Sequence, residues 1–191
     1  MRSLVAALLL SLFVQPALAR AASPAGWFLA GNDPVSYVNA LDPAVKHEGA
    51  PSARLASVAP SKGFGTMMQT FDATDYTGKR LRLSGWVKAK SVASWAGLWM
   101  RVDDAGSPVK TLAFDNMQSR PIKGTLDWVR YDVVLDVAPE AKSISMGILL
   151  SGQGTVWVSD MKVDIVPDTV PVTGATMSTQ NRKPANLDFA H

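Results

Sequence analysis

Hydrophobic residues that recur at every second position dominate the chain after residue 24. Leu81, Leu83 and Val87 alternate with polar or bulky neighbours, and the runs 96–102, 129–137, 144–150 and 156–158 repeat the pattern. A period of two places successive side chains on opposite faces of a β-strand, whereas an amphipathic helix repeats every 3.6 residues. The pattern therefore predicts an all-β fold and argues against a helical domain.

Residues typical of turns separate these runs, at 75–78, 104–108, 138–140 and 151–154. Many short strands divided by such turns are typical of an antiparallel sandwich or barrel. Each strand would turn one face to a shared core, which contributes about 25 cal/mol per Å² of buried apolar area. The polar stretch 42–50 is predicted to be a loop.

The two ends of the chain differ in composition from the part that is predicted to form strands. Arg2, an apolar run over 4–14 and Ala17-Leu18-Ala19 form the pattern of a cleaved signal peptide over residues 1–19. This predicts a periplasmic or secreted protein with no integral membrane segment after processing. Residues 20–166 would form the β-domain. Residues 167–191 resemble a linker, which either stays a free tail or docks as an edge strand through Asn186-Leu187-Asp188-Phe189.

Composition removes several kinds of chemistry. The 191 residues include no cysteine and only two histidines. Disulfide frameworks, thiolate zinc sites and cysteine nucleophiles are therefore excluded. A net charge of +3 is too small for a nucleic-acid footprint. We therefore expect binding rather than catalysis, no cofactor and no nucleic-acid partner.

One strand carries the residues that best suit a ligand. Trp95, Trp99 and Arg101 fall on the face opposite Leu98 and Met100. Flat aromatic rings can contact the apolar face of a sugar ring, and planar polar groups can bond its hydroxyls. Further polar candidates follow the next strand at Asp115, Asn116 and Gln118. The alternative is that loops and the tail cover both tryptophans while Arg101 pairs with Asp115 or another acid.

Other histidine and tryptophan residues are interpreted as structural rather than ligand-binding. His47 and Glu48 stand in the predicted loop and are expected to be exposed. Trp86 and Trp157 fall opposite the predicted core face, where packing under a loop is favoured over ligand stacking. Trp128 begins a hydrophobic run and is expected to fill one end of the sandwich.

Several separated blocks resemble a bacterial family of galactose-binding-like β-jelly rolls, similar to carbohydrate-binding modules. These blocks are 63–69, 76–80, 95–103 (WAGLWMRVD), 112–124 (LAFDNMQSRPIKG), 127–131 and 149–160 (LLSGQGTVWVSD). The resemblance covers residues 24–166. It implies a two-sheet antiparallel jelly-roll sandwich of about eight strands.

The resemblance also limits the functional expectation. It implies an exported, non-catalytic binding module for a carbohydrate or another cell-envelope component. The alternative is a structural or protein-interaction module with no small-molecule ligand. Jelly rolls of this appearance often hold one structural calcium, for which Asp160 is a weak candidate. Otherwise no metal site is expected.

Overall fold

The computed structural model describes residues 23–176, with ten β-strands and two short 3-10 turns. Every strand pair is antiparallel. The strands are β1 (Phe28–Gly31), β2 (Tyr37–His47), β3 (Ala50–Ser57), β4 (Phe64–Asp72), β5 (Arg80–Asp103), β6 (Thr111–Asp115), β7 (Ile122–Asp136), β8 (Ser143–Ser151), β9 (Thr155–Val166) and β10 (Ala175–Thr176). The predicted all-β class is confirmed.

The strands form two layers that share β5. We name the layer β1-β4-β8-β5-β6-β10 the front sheet and the layer β2-β3-β9-β5-β7 the back sheet. Residues 95–103 of β5 pair with β8 and β6, whereas residues 80–90 pair with β9 and β7. The sequence pattern suggested two separate strands here. The structure instead runs one strand around the corner, where Ser91 adopts a positive φ of 53°.

The core lies between the inner faces of the two sheets. The front sheet contributes residues such as Leu98, Met100 and Ile148, and the back sheet contributes Leu83 and Val156. All of these are fully or almost fully buried. They are the apolar members of the period-two runs, so the alternation correctly predicted which face of each strand points inward.

The polar stretch 42–50 is not a loop, contrary to the sequence expectation. It completes β2, a tight turn at Glu48 and Gly49, and the start of β3. A register shift between Asp42 and Lys46 interrupts the β2–β3 pairing. Because β2 is an edge strand, Pro43 and polar side chains fit it without breaking the sheet. Its polarity therefore reflects an exposed edge.

A segment we name the strap, residues 167–174, leaves β9 and crosses from the back sheet to the front sheet. Arg80 of β5 donates to the carbonyl oxygens of Asp168 and Val170. The strap then leads into β10, which pairs with Ala113 and Phe114 of β6. Residues 175–176 thus form a short edge strand. The predicted signal peptide and the segment 186–189 lie outside the described residues.

Candidate functional site

The outer face of the front sheet holds a groove of about 340 Å³, within the usual size of small-ligand sites. It crosses strands β1, β4, β8, β5 and β6. Trp99 and Arg101 belong to it, on the face that alternation predicted for them. The lining residues are Ala30, Gly31, Phe64, Thr66, Met68, Trp99, Arg101, Phe114 and Leu149.

Trp99 lies across the sheet as part of the groove floor. Its indole Nε1 donates to Oγ1 of Thr66 at 2.7 Å, and that hydroxyl donates to the Ile148 carbonyl at 2.9 Å. Since β8 lies between β5 and β4, the indole must span β8, where the residue paired with Trp99 is Gly147. Trp99 is only 7% exposed. The ring is therefore a fixed apolar floor rather than a projecting platform.

Arg101 supplies the polar side of the groove. Its Nε donates to Oδ2 of Asp103 at 2.8 Å, and Oδ1 of the same carboxylate accepts from Thr111 at 3.0 Å. The Asp103 side chain is 4% exposed, whereas that of Arg101 is 44% exposed. A buried acid thus orients the half-exposed side chain of an arginine that lines the groove.

Trp95 shares the outer face but lies beside the groove. It is half-buried and pairs with Ser151 of β8. Trp95 and Trp99 are four positions apart, which is about 13 Å along a strand. Trp95 is not among the lining residues of the groove.

Asp115 does not join Arg101 in one polar cluster, which corrects that part of the sequence expectation; the acid that pairs with Arg101 is Asp103. Asp115 pairs in register with Met100 and therefore points to the core side of the sheet, whereas Arg101 pairs with Phe114. The Asp115 carboxylate accepts hydrogen bonds from Arg120 at 2.6 Å and from Thr173 at 2.6 Å. Phe114 and Asp115 are neighbours on β6, so their side chains point to opposite faces of the sheet, and only Phe114 lies on the face of Arg101.

The environment of Asp115 favours its charged form. Burial by itself would raise the pKa of this carboxyl. Hydrogen bonds from Arg120, from Thr173 and from the Met117 amide outweigh burial and hold the pKa below its ordinary value. Asp115 thus ties the strap to β6 as a carboxylate.

Asn116 and Gln118 lie in the turn that follows β6. The Asn116 side-chain oxygen accepts from the Gln118 amide at 3.0 Å, so it stabilises the turn itself. Gln118 is exposed and Asn116 is half-buried. The turn packs closely on β5, since a Cβ on Gly97 would lie 2.7 Å from the Asn116 carbonyl oxygen.

Sequence reasoning missed the residues that complete the groove walls. Phe64, Thr66 and Met68 alternate along β4 on the outer face, while Met67 between them is buried in the core. Phe114 closes the far side from β6. The period-two pattern contained this information, but the pairing order that places β4 beside β8 is a tertiary property.

The outer face of the back sheet holds a second aromatic cluster, built around His47. This residue is buried, contrary to the exposed position expected of it. Its ring stacks on Trp86 at 4.3 Å between centroids and meets Trp128 edge-on at 5.3 Å. Trp128 lies within β7, so it does not fill an end of the sandwich as predicted. It donates from Nε1 to the Lys46 carbonyl.

Asp160, the residue considered for calcium, contacts this cluster through His47. Its Oδ2 lies 3.0 Å from Nδ1 of His47. Asp160 has a positive φ of 52° beside a register shift in the β5–β9 pairing, which directs its side chain. Within residues 23–176, no three His, Cys, Asp or Glu side chains form a group able to hold a metal.

Comparisons with solved structures place the fold among carbohydrate-binding modules. A xylan-binding CBM22-1 domain from Paenibacillus barcinonensis Xyn10C has a TM-score of 0.54 at 14% identity, covering 77% of this chain and 90% of that one. A family 16 carbohydrate-binding module has a TM-score of 0.51 at 12% identity, covering 70% and 89%. The enzymatically active domain of tailspike protein 4 from bacteriophage CBA120 has a TM-score of 0.55 at 17% identity, covering 74% and 20%.

Among curated proteins, the chain is 44% identical over 167 residues to an uncharacterized HTH-type transcriptional regulator, YbfP, of Bacillus subtilis (strain 168). The match covers 86% of this chain but only 56% of YbfP, so the chain spans about half of that relative's length. No protein-family model matches the chain.

The class of the molecule follows from these observations. The domain is a two-sheet antiparallel jelly roll, with the fold of carbohydrate-binding modules. The predicted fold and resemblance are therefore confirmed. Within the described segment, no helix is long and apolar enough to cross a membrane.

Proposed function

We propose that this domain is an exported, non-catalytic binding module. Its ligand is a carbohydrate or another glycan-bearing component of the cell envelope, bound in the groove of the front sheet. The carbohydrate-binding-module fold supports the class of ligand. The predicted signal peptide over residues 1–19 supports export.

The observation behind this proposal is the two-sided character of the groove. Trp99, Phe64 and Phe114 offer apolar surface for the C–H face of a sugar ring. Arg101 offers hydrogen-bond donors beside that surface, held in place by Asp103. A site for a sugar needs both kinds of contact within one concavity.

The remaining candidate residues take different roles in this proposal. Trp95, Asn116 and Gln118 lie at the margins and would contact a ligand longer than one sugar unit. Asp115 fixes β6 and the following turn through Arg120, so it positions Phe114 rather than touching the ligand.

The absence of catalysis is part of the same proposal. Asp72, Asp103 and Asp104, which lie at strand ends and turns, are engaged in local structure. Asp104 accepts from the amides of Gly106 and Lys110, and Asp72 accepts from the amide of Thr74. Asp103 is bonded to Arg101 and Thr111. General acid–base cleavage of a glycan needs two carboxylates facing each other across the substrate.

A glycan and cell-wall fragment screen tests the function, repeated with Trp99→Ala. We expect binding by the unmodified chain and an affinity at least about tenfold lower for the variant, since a buried aromatic contact is removed. Trp157→Ala, on the opposite sheet, is the control and should bind normally. Circular dichroism of each variant establishes that it is folded. Binding that survives Trp99→Ala would refute the proposed site.

A protein-interaction module is the second candidate function. The observation in its favour is the 44% identity to a longer protein named as an HTH-type regulator, in which a domain of this kind would be joined to other regions. A chain that is folded but binds no glycan in the same screen would favour this alternative.

A further inference from the structure

The groove is poor in hydrogen-bonding groups that remain available to a ligand. Of its lining side chains, only Thr66, Trp99 and Arg101 have polar atoms, and the Trp99 N–H is already donated to Thr66. Thr66 is only 3% exposed, and its hydroxyl accepts from Trp99 and donates its one hydrogen to the Ile148 carbonyl. Arg101 is therefore the one lining side chain whose polar atoms are free to meet a ligand.

The free atoms of Arg101 are all donors. Asp103 engages Nε only, so the two Nη groups have no partner within residues 23–176. A guanidinium has no acceptor atom. Both oxygens of Asp103 are occupied, by Arg101 and by Thr111, and the carboxylate is buried. The lining side chains thus offer a ligand donors without acceptors.

This imbalance discriminates between ligand groups. Each sugar hydroxyl brings a hydrogen that needs an acceptor, whereas a carboxylate is an acceptor only. The planar Nη pair also matches two carboxylate oxygens in a bidentate arrangement. Among the lining residues, Arg101 is the only charged side chain, and it is positive.

We propose that the groove selects a glycan residue bearing a carboxylate, such as a uronic acid, and that Arg101 is the specificity-determining residue. The proposal rests on the glycan-binding function and adds the chemical class of the sugar. Phe114 is the register partner of Arg101 and faces the same side, so the apolar face of the ring contacts aromatic surface while the carboxylate meets the Nη pair.

A matched pair of ligands tests the role of the charge. The binding of tri-galacturonate and of its methyl ester is measured by calorimetry at low and moderate salt. The two ligands share the same rings and differ at the carboxyl groups, which are charged in the acid and are neutral methyl esters in the other ligand. We expect the acid to bind about ten- to hundredfold more tightly than the ester, the range that a hydrogen bond to a charged group provides. The difference should shrink as salt is added.

Variants at one position test the residue. Arg101→Gln should abolish the preference for the acid, and Arg101→Lys should retain part of it, since the charge remains and the bidentate geometry is lost. Arg130→Gln is the matched control. Its side chain is 45% exposed, like that of Arg101, but it belongs to the back sheet. This control should keep the full preference.

The outcomes separate this inference from the function beneath it. Equal affinity for acid and ester, or a preference that survives Arg101→Gln in a folded protein, would overturn the role of Arg101. If the chain binds only neutral glycans, and this binding depends on Trp99, the role of Arg101 is overturned but the glycan-binding function stands. If neither the acid, the ester nor any neutral glycan binds, both proposals are overturned.

Discussion

Two tryptophans on opposite sides of the sandwich use the same hydrogen-bonding device. Trp99 reaches across β8 to Thr66, and Trp157 reaches across β3 to Asp42, donating from Nε1 at 2.9 Å. Each indole therefore lies along its sheet and bridges two strands that do not pair with each other. The Trp157 hydrogen bond is the main reason why the pKa of Asp42 is below its ordinary value.

Thr66→Val is expected to destabilise the fold by about 1–3 kcal/mol. Valine keeps the shape of threonine but leaves the Trp99 N–H without an acceptor in a buried position. Urea unfolding monitored by tryptophan fluorescence measures the change in the free energy of unfolding. Glycan affinity should fall as well, because the groove floor loses its anchor.

Thr70→Ser provides the control on the same strand. Thr70 is exposed, and serine keeps the hydroxyl that hydrogen-bonds to Ser145 at 2.8 Å. Its replacement should change the free energy of unfolding by no more than about 0.5 kcal/mol. Equal effects of the two substitutions would contradict the special role of the Thr66 hydroxyl.

At the residue scale, faces were predictable and partners were not. Alternation along β5 placed Trp99 and Arg101 together because a strand has a fixed period. It could not reveal that Asp115 faces the core, since this depends on the register between β5 and β6. The same limit hid Thr66, whose partner is two strands away.

At the scale of elements, the strap joins both sheets. Thr173 accepts a hydrogen bond from the Val134 amide of β7 and donates to Asp115 of β6. Arg80 of β5 holds the strap at Asp168 and Val170, and it also pairs with Asp136. The strap therefore closes one side of the sandwich through polar contacts.

Asp115 makes stability at this junction depend on pH. Because the pKa of Asp115 is lower in the folded chain than in the unfolded one, the unfolded state binds more protons in the acid range. The contribution is present above the unfolded value of about 3.9 and is lost as pH falls through the folded pKa. We expect Asp115→Asn to cost about 1–2 kcal/mol at pH 7 and to flatten the loss of stability in acid. Urea unfolding between pH 7 and 3 measures both effects.

Asp127→Asn is the comparison for that experiment. The pKa of Asp127 is also lowered, chiefly by a hydrogen bond from Lys88, but the carboxylate is exposed on the surface. Water and salt screen such pairs, so stability should hardly change. If the two variants behave alike, Asp115 does not lock the strap.

Shortening the chain tests the strap as a whole. A chain that ends at residue 166 loses the strap contacts to Arg80, Val134 and Asp115. At about 1 kcal/mol for each hydrogen bond, the midpoint of thermal unfolding should fall by about 5 °C or more relative to the full chain. An unchanged midpoint would show that the strap adds nothing to stability.

Deleting residues 183–191 tests the separate hypothesis that the segment 186–189 docks as an edge strand. Docking predicts a lower melting temperature or a changed oligomeric state after the deletion, since an edge would lose its partner. Unchanged values in calorimetry and light scattering would contradict the hypothesis.

Elements were predictable where hydrophobic alternation was continuous, as in β8. They were missed where a strand lies at an edge, as in β2, because its outward residues are polar and a register shift breaks the period at Asp42. For this reason His47 was wrongly expected to be an exposed loop residue. It is the last residue of β2, and the aromatic side chains that cover it come from β5 and β7.

At the scale of the molecule, the two outer faces are chemically different. The front face holds a groove with one oriented cation. The back face holds tryptophans that are engaged with His47 and Asp42. The class of fold was predictable because several hydrophobic runs with a period of two residues are divided by residues typical of turns. The groove was only partly predictable, because its walls come from strands far apart in the chain.

The core between these faces should keep them energetically independent. Thr66→Val removes the acceptor of Trp99 on the front face, and Asp42→Ala removes that of Trp157 on the back face. Sandwich sheets pack about 10 Å apart, and effects of sites that far apart without shared partners usually add within about 0.5 kcal/mol. The double variant should therefore lose the sum of the two single losses. Urea unfolding of the unmodified chain, the two single variants and the double variant gives the four free energies that this comparison needs. A coupling larger than about 0.5 kcal/mol would mean that the core transmits strain from one face to the other, so that occupancy of the groove would be felt on the back sheet.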